Sequence, residues 1–454
     1  MQIYSNILEM VGRTPMLEVK RLDTGPCRLF LKLELMNPGG SVKDRIGISM
    51  IEEAERRGDI KPGDTIVEAT AGNTGIGLAL VAAQKGYRLV LVLPDKMSQE
   101  KIFNLRAMGA EVVLTRSDVG KGHPEYYQDL GKRIADQQGA YFINQFGNMD
   151  NPLAHEQTTT PEILEQMDGD VDAIVLGVGS SGTVTGMCKY LNEHAPGVDL
   201  ILADPVGSIL AGYINTGELH DKSSSWLVEG IGEDFIPEIA DFSRVTQAYA
   251  ISDAESFAAA RELLKIEGLL AGSSSGTLLA AALKYCREQT EPKRVVSFAC
   301  DTGNKYLSKL YNDFWMEDQG FIERDQHNDL RDLIGRPHDE HATITVGPGD
   351  ILTTAHNRLR NAGFSQLPVM DEGKLVGVVT EETIMQHVFG RPEWMNSPVA
   401  EAMQSAFIKL EKDTTINNLV SMLQVQPYAA IMDADEFLGL ITRSDVLNYL
   451  RRQM

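Results

Sequence analysis

Thr65-Ile66-Val67-Glu68-Ala69-Thr70-Ala71-Gly72-Asn73-Thr74-Gly75-Ile76-Gly77-Leu78-Ala79-Leu80-Val81-Ala82-Ala83-Gln84-Lys85 runs from a β-branched stretch through small residues into a long apolar stretch. Thr65–Glu68 predicts a buried strand and Gly75–Lys85 a helix, with the loop Thr70–Gly75 joining them. Strand, small-residue turn and helix, in that order, is the unit of a parallel sheet covered by helices. The unit recurs along the chain. Arg88–Leu93, Glu111–Leu114, Asp172–Val178, Leu200–Ala203 and Arg294–Phe298 read as further buried strands, with helical patterns at Ser98–Met108 and Gly182–Glu193. In the first of these helices Ile102, Leu105 and Met108 fall on one face while Glu100 and Arg106 point elsewhere. The elements cluster at about 40–145 and 165–310, which predicts two α/β lobes with a cleft between them.

The chain has 454 residues, 43% of them hydrophobic and 23% charged, which excludes wholesale disorder and suits two or three domains. A formal net charge of −22 repels nucleic acid and anionic membranes. Cys27, Cys188, Cys286 and Cys300 have no paired spacing, so neither a disulfide framework nor a zinc set is expected. The start, Met1-Gln2-Ile3-Tyr4-Ser5-Asn6, is no signal peptide, and no apolar run approaches the ~20 residues of a membrane helix. A cytoplasmic enzyme is the expectation.

Beyond residue 316 the composition changes. Residues 317–340 crowd Asp, Glu, Arg, Gln and His with few apolar side chains, a linker signature. Past it, residues 341–454 contain an internal repeat with a shift of 62 residues. Pro368-Val369-Met370-Asp371 meets Ala430-Ile431-Met432-Asp433, and Leu375–Thr380 meets Phe437–Thr442. Two copies of one small unit are predicted, each running helix, strand, tight turn, strand, helix. His338-Asp339-Glu340-His341 has a metal-like spacing but sits in the polar stretch and reads as solvated; no metal is expected.

Four small-residue loops stand at element junctions. In Asn37-Pro38-Gly39-Gly40-Ser41-Val42-Lys43-Asp44-Arg45, Ser41 and Asp44 have capping-box spacing, so a helix is expected to start at Ser41. Lys43 then lies in the first turn, where the positive dipole end disfavours an ammonium and favours the free amine that a Schiff-base lysine needs. Thr70–Gly75 and Gly179-Ser180-Ser181-Gly182-Thr183 each follow a strand and open a helix, presenting backbone N–H groups to a carboxylate or phosphate. Gly272-Ser273-Ser274-Ser275-Gly276 precedes another helix. Ligands of open parallel sheets sit at the carboxyl ends of strands, where such loops converge.

Together these residues resemble the fold-type II pyridoxal-phosphate family of cystathionine β-synthase and cysteine synthase, over essentially residues 1–315. The resemblance implies pyridoxal 5′-phosphate held by Lys43, with Asn73 on its phenolic oxygen. It makes Gly179, Ser180, Ser181, Gly182 and Thr183 the phosphate cradle and turns Ser274 toward the ring nitrogen. Thr70, Ala71, Gly72, Asn73 and Thr74 would grip the substrate carboxylate with Gln145. A hydroxyl cannot hold the ring nitrogen protonated as a carboxylate would, which favours prompt loss of a β-leaving group and attack by a thiolate. Three departures from the family pattern stand out: Ala71 replaces a serine, Ser180-Ser181 replace Thr-Gly in the cradle, and Glu233 stands where animal cystathionine synthases have tyrosine.

Val228-Glu229-Gly230-Ile231-Gly232-Glu233-Asp234-Phe235-Ile236-Pro237 resembles the cystathionine-forming branch, as does the repeated tail, which is similar to paired CBS domains. The expected architecture is a two-lobed α/β fold-type II enzyme carrying an α+β tandem CBS module. The expected reaction condenses serine, or an O-activated serine, with homocysteine. Cysteine synthase using sulfide is the alternative, and a nucleotide sensor with a dead enzymatic lobe is a third reading. The family pattern starts at about Tyr4, so no haem is expected. In the tail, Gly439–Asp445 keeps a Gly-x-x-Thr-x-x-Asp segment, with Thr442 and Asp445 implied at the ribose of an adenosyl ligand: S-adenosylmethionine, AMP or ATP. The first repeat has Thr383 where Asp445 stands in the second. A homodimer or higher homo-oligomer is expected.

Overall fold

Fifteen strands build the sheets among the described residues. β1 (Met16–Val19) and β2 (Arg28–Lys32) come first, then β3 (Thr65–Ala69), β4 (Arg88–Pro94), β5 (Glu111–Thr115) and β6 (Tyr141–Phe142). β7 (Ala173–Gly177), β8 (Asp199–Pro205), β9 (Val245–Ile251) and β10 (Arg294–Phe298) follow. The computed structural model describes residues 3–70, 72–95, 97–219, 223–338 and 342–452, and the chain divides into two units after Tyr311.

In the first unit the strands form two sheets, ordered β5-β4-β3-β6 and β1-β2-β10-β7-β8-β9. All neighbours are parallel except β1, which lies antiparallel on β2 at an edge. The predicted strands β3, β4, β5, β7, β8 and β10 are present, with ends shifted by at most two residues. The sequence reading leaves β1, β2, β6 and β9 unassigned. β1 and β2 join the sheet built mostly from residues after 170, so that lobe is closed by the chain's first strands.

The smaller lobe packs the helix Lys43–Arg57 against the helix Asn73–Lys85 through a buried cluster including Ile46, Met50, Ile66, Leu78 and Leu91. Glycine sets how close the helices come. A Cβ on Gly47 would lie 2.6 Å from the Gly77 carbonyl carbon, and one on Gly77 would lie 2.5 Å from the Lys43 carbonyl oxygen. Backbone against backbone, this contact brings the first turn of one helix, with Lys43, beside the first turn of the other, with Asn73.

That first helix starts two residues later than Ser41, and the expected capping box is not made. Ser41 forms an isolated bridge with Asp301, and its Oγ accepts only from the Lys43 N–H at 3.2 Å. Asp44 instead turns back to accept from the Gly39 N–H.

The second unit holds two antiparallel hairpins, β11 (Gln366–Asp371) with β12 (Lys374–Thr380) and β14 (Tyr428–Asp433) with β15 (Glu436–Thr442); β13 (Lys409–Glu411) runs parallel to β14. Each hairpin is flanked by helices, Leu352–Ala362 and Glu381–Val388 in the first copy, Ile416–Leu423 and Arg443–Arg452 in the second. The repeat extends to detail. Bulges fall at Val369/Met370 and at Ile431/Met432, and left-handed turn residues at Glu372 and Ala434. Both pairs are 62 residues apart, the shift read from the sequence.

The polar stretch 317–340 is not bare coil. Leu330, Leu333 and Ile334, in and after the turn Leu330–Leu333, are buried in the core of the second repeat with Leu419, Ile431 and Ile441. Three apolar residues among many charges are enough to dock a segment, and composition averages them away. Of the His338–His341 stretch, residues 339–341 lie outside the described residues; the His338 N–H donates to the Leu438 carbonyl. No helix among the described residues is long and apolar enough to cross a membrane.

Candidate active site

One cleft of about 290 Å³ in the first unit is lined by Lys43, Thr70, Gly72, Asn73, Thr74, Gln145, Gly179 to Thr183 and Ser274. Every site residue expected there from the sequence therefore meets in one place, apart from Ala71, which lies outside the described residues. The loops sit at the carboxyl ends of β3 and β7, as open parallel sheets require.

Lys43 is the first residue of its helix. Burial holds its ammonium below the ordinary lysine value, against the acidic groups of Cys300, Asp301 and Glu233. The amine form is thereby more accessible than on a surface lysine. The helix dipole adds to this effect.

The Gly179–Thr183 loop lines the same cleft. Gly179 to Thr183 wrap the start of the helix Gly182–His194. Ser181 has φ +69°, the left-handed region, in the position where the family pattern has glycine. Its buried Oγ has no hydrogen-bond partner among the described residues. The Ser180 Oγ accepts from Asn151 Nδ2 at 2.9 Å, and Thr183 Oγ1 pairs with His155 Nε2 at 3.3 Å. A Cβ on Gly182 would meet Asn151 Oδ1 at 1.9 Å. His155 is fully buried and held well below its ordinary pKa by burial and then by the charges of Lys43 and Arg45, so it meets the cradle as a neutral imidazole. An orphaned hydroxyl, helix-start N–H groups and a nearby buried amine fit a group that carries both a phosphate and a carbonyl.

The Thr70–Thr74 loop is braced from within. Thr70 Oγ1 accepts from the Gly72 N–H at 3.1 Å, and Thr74 Oγ1 donates to Gln145 Oε1 at 2.8 Å. Gln145 Nε2 donates to Glu68 Oε1 and to the Ala69 carbonyl, both at 3.2 Å. Its amide is thus engaged on every side by this loop and strand, so Gln145 supports the loop that would grip a carboxylate. Burial raises the Glu68 pKa to about 8, and its hydrogen bonds to Gln145 pull the other way.

Several residues hydrogen-bonded to the cleft lining escape the sequence reading. Asp301, Lys305 and Tyr306 follow the end of β10. Asn73 Nδ2 donates to Asp301 Oδ2 at 2.7 Å, and the Tyr306 hydroxyl donates to the same oxygen at 2.7 Å. Lys101 Nζ reaches Tyr306 Oη at 3.0 Å and Glu229 at 2.7 Å. Burial would raise Glu229, but Lys101 and Lys309 outweigh it and hold the carboxylate below its usual range. Ser274, in the first turn of the helix Ser273–Glu288, stands within reach of the Cys300 thiol, which burial and then Asp301 push up to about 12. The signal for Asp301, Lys305 and Tyr306 is the Asp301-Thr302-Gly303 turn two residues past a predicted strand.

In the second unit, Asp445 Oδ2 accepts from the Thr442 N–H at 2.7 Å and from Thr442 Oγ1 at 2.6 Å. That oxygen is committed to capping the last helix, and burial raises the carboxyl's pKa. In the first repeat Thr383 and Thr380 make a reciprocal capping box, so the Thr383 hydroxyl is occupied by the backbone at this place.

With this geometry in hand, residues 7–301 match the family described as pyridoxal-phosphate dependent enzyme, and the chain belongs to that family. Residues 340–390 and 399–452 each match the CBS domain. The chain is 36% identical to cystathionine beta-synthase of Dictyostelium discoideum, over 99% of this chain and 93% of that protein. It is 39% identical to the O-acetylserine dependent cystathionine beta-synthase of Bacillus subtilis, over 68% of this chain and 98% of that one. Among solved structures, the O-acetylserine dependent cystathionine beta-synthase of Helicobacter pylori superposes with a TM-score of 0.63 at 38% identity, covering 69% of this chain and all of that one.

Proposed function

We propose that this chain is a pyridoxal-phosphate dependent cystathionine β-synthase, exchanging the β-substituent of serine or an O-activated serine for the thiolate of homocysteine. The observation that carries the reading is the convergence on one cleft of Lys43, the Asn73 loop and the Ser180–Thr183 cradle. Similarity along nearly the whole chain to cystathionine beta-synthases supports the choice of branch.

When bound, pyridoxal phosphate supplies a carbonyl for an amine and an electron sink for the substrate α-carbon. Lys43 would hold that carbonyl and, once displaced by the substrate amine, serve as base at the α-proton and as acid to the leaving group. Ser181 Oγ and the N–H groups of Gly182 and Thr183 would take the phosphate. Asn73 would donate to the ring oxygen, and Ser274 would face the ring nitrogen. Thr70, Ala71, Gly72, Asn73 and Thr74, braced by Gln145, would hold the substrate carboxylate.

Homocysteine is expected to be the productive thiol. Turnover with serine and O-acetylserine, each offered with homocysteine or sulfide, checks it. Sulfide winning by kcat/KM with both donors would move the chain to the cysteine synthase reading.

The same proposal divides the chain into a catalytic region 1–316, a connecting segment 317–340 and a CBS pair 341–454, working as a cytoplasmic homodimer or higher homo-oligomer. The CBS pair would bind an adenosyl ligand such as S-adenosylmethionine, AMP or ATP in the second repeat. Its Asp445 Oδ1 would accept from the ribose while Oδ2 stays with Thr442. Calorimetry should find at most one good site per chain, weakened about ten- to a hundredfold in Asp445→Ala, the loss of one charge-assisted contact. Binding lost instead in Thr383→Ala would place the ligand in the first repeat.

A further inference from the structure

We propose that Lys305 is a positioning residue that ties the turn ahead of Lys43 to Asn73 and thereby fixes which face of the Asn73 amide meets the cofactor. Lys305 closes the short turn Gly303–Lys305 just past β10 and is 4% exposed. Its Nζ lies 2.9 Å from the Gly39 carbonyl, 3.2 Å from the Gly40 carbonyl and 2.9 Å from Asn73 Oδ1. An ammonium has three protons, and three oxygens face this one. Two of those oxygens belong to the turn that delivers Lys43 to its helix, and the third to the first residue of the neighbouring helix.

The consequence at Asn73 is specific. Its oxygen is taken by Lys305, and one of its N–H groups by Asp301 at 2.7 Å. The Tyr306 hydroxyl donates to Asp301 in turn and accepts from Lys101, which is linked onward to Glu229. What remains for the cleft is a single N–H donor. Without Lys305 the amide could rotate and present its oxygen to an anionic ring oxygen, an unfavourable contact.

The latch titrates in an accessible range. Burial lowers the Lys305 pKa to about 8, with Asp301 raising it, Lys101 lowering it and Asp44 raising it. Below that pH the ammonium satisfies all three oxygens. Above it, a neutral amine has two protons for three acceptors, and one contact is lost.

The inference rests on the cofactor reading above. The test titrates full-length apoprotein with pyridoxal phosphate at pH 7 and pH 9, reading Kd and the visible band of the bound cofactor. Wild type, Lys305→Met and Lys305→Arg are compared. Wild type should bind several-fold more weakly at the higher pH. Lys305→Met should bind about tenfold more weakly than wild type at pH 7, with a shifted band and little further change at pH 9. Lys305→Arg should keep the affinity and band and lose the alkaline decline, because a guanidinium stays charged. If Lys305→Met does not fold, the flat profile of Lys305→Arg decides. A decline in Lys305→Arg equal to that of wild type, or affinity and band unchanged in Lys305→Met, overturns this inference alone. Wild type that takes up no pyridoxal phosphate overturns the cofactor reading with it.

Discussion

Lys43→Ala is expected to lower turnover by roughly a thousandfold or more, since on the proposed function it removes both the attachment point and the proton carrier in one change. The loss should be chemical and not structural. Lys43 starts its helix, and the close contact with Gly77 is made by its backbone oxygen, which alanine keeps. The cradle residues Ser180 to Thr183 are untouched, so the variant should still bind pyridoxal phosphate reversibly. Reductive fixation of cofactor followed by peptide mapping separates the two properties. Wild type should carry the label on the peptide containing Lys43, and the variant on no peptide. Label on Lys305 or Lys101 in wild type, or turnover near wild type in Lys43→Ala, would put the reacting lysine elsewhere.

What could be read from the sequence, and what could not, follows from how local each signal is. β3, the Thr70–Gly75 loop and the helix after it form one contiguous unit, so period and small residues were enough. The 62-residue repeat was legible for the same reason, since each copy carries its own core pattern. The capping box at Ser41 fails because Asp44 turns back across the Pro-Gly-Gly turn to the Gly39 N–H, a partner that the spacing does not show. Gln145 lines the cleft, but its partners Glu68 and Ala69 come from a strand more than seventy residues earlier. The braces on Asn73 are further still, 228 residues away at Asp301 and 232 at Lys305. No window along the chain contains such a contact.

The same limit hides the charges that anchor the helix starting at Lys43, and here the largest effect on stability is expected. Arg45, two residues after Lys43, has no role assigned to it in the sequence reading. It is in fact buried, with its side chain 2% exposed, against a Glu34 side chain that is 0% exposed. Arg45 Nε and Nη2 each lie 2.8 Å from a Glu34 oxygen, and Nη1 and Nη2 reach Glu162 at 2.7 and 2.8 Å. Lys32 on β2 joins through Glu162 at 2.8 Å. Burial alone would raise Glu34, but Arg45 overrides it and keeps the carboxylate charged. Arg45→Met would leave that carboxylate buried with only Thr14 and Asn37 donating to it. Breaking a buried pair from one side costs about 3–5 kcal/mol, roughly 5–8 °C for a unit of this size. Calorimetry measures it on the endotherm that rises when pyridoxal phosphate is added, which marks the first unit's own transition. Arg56→Met, which breaks the exposed pair with Glu53 on the same helix, should leave that endotherm where it is. Adding Glu34→Gln to Arg45→Met should recover part of the loss, because the stranded charge and not the missing attraction carries most of the cost. A drop no larger than that of Arg56→Met would mean that the lobe relaxes around Glu34 and that helix packing alone holds Lys43 in place.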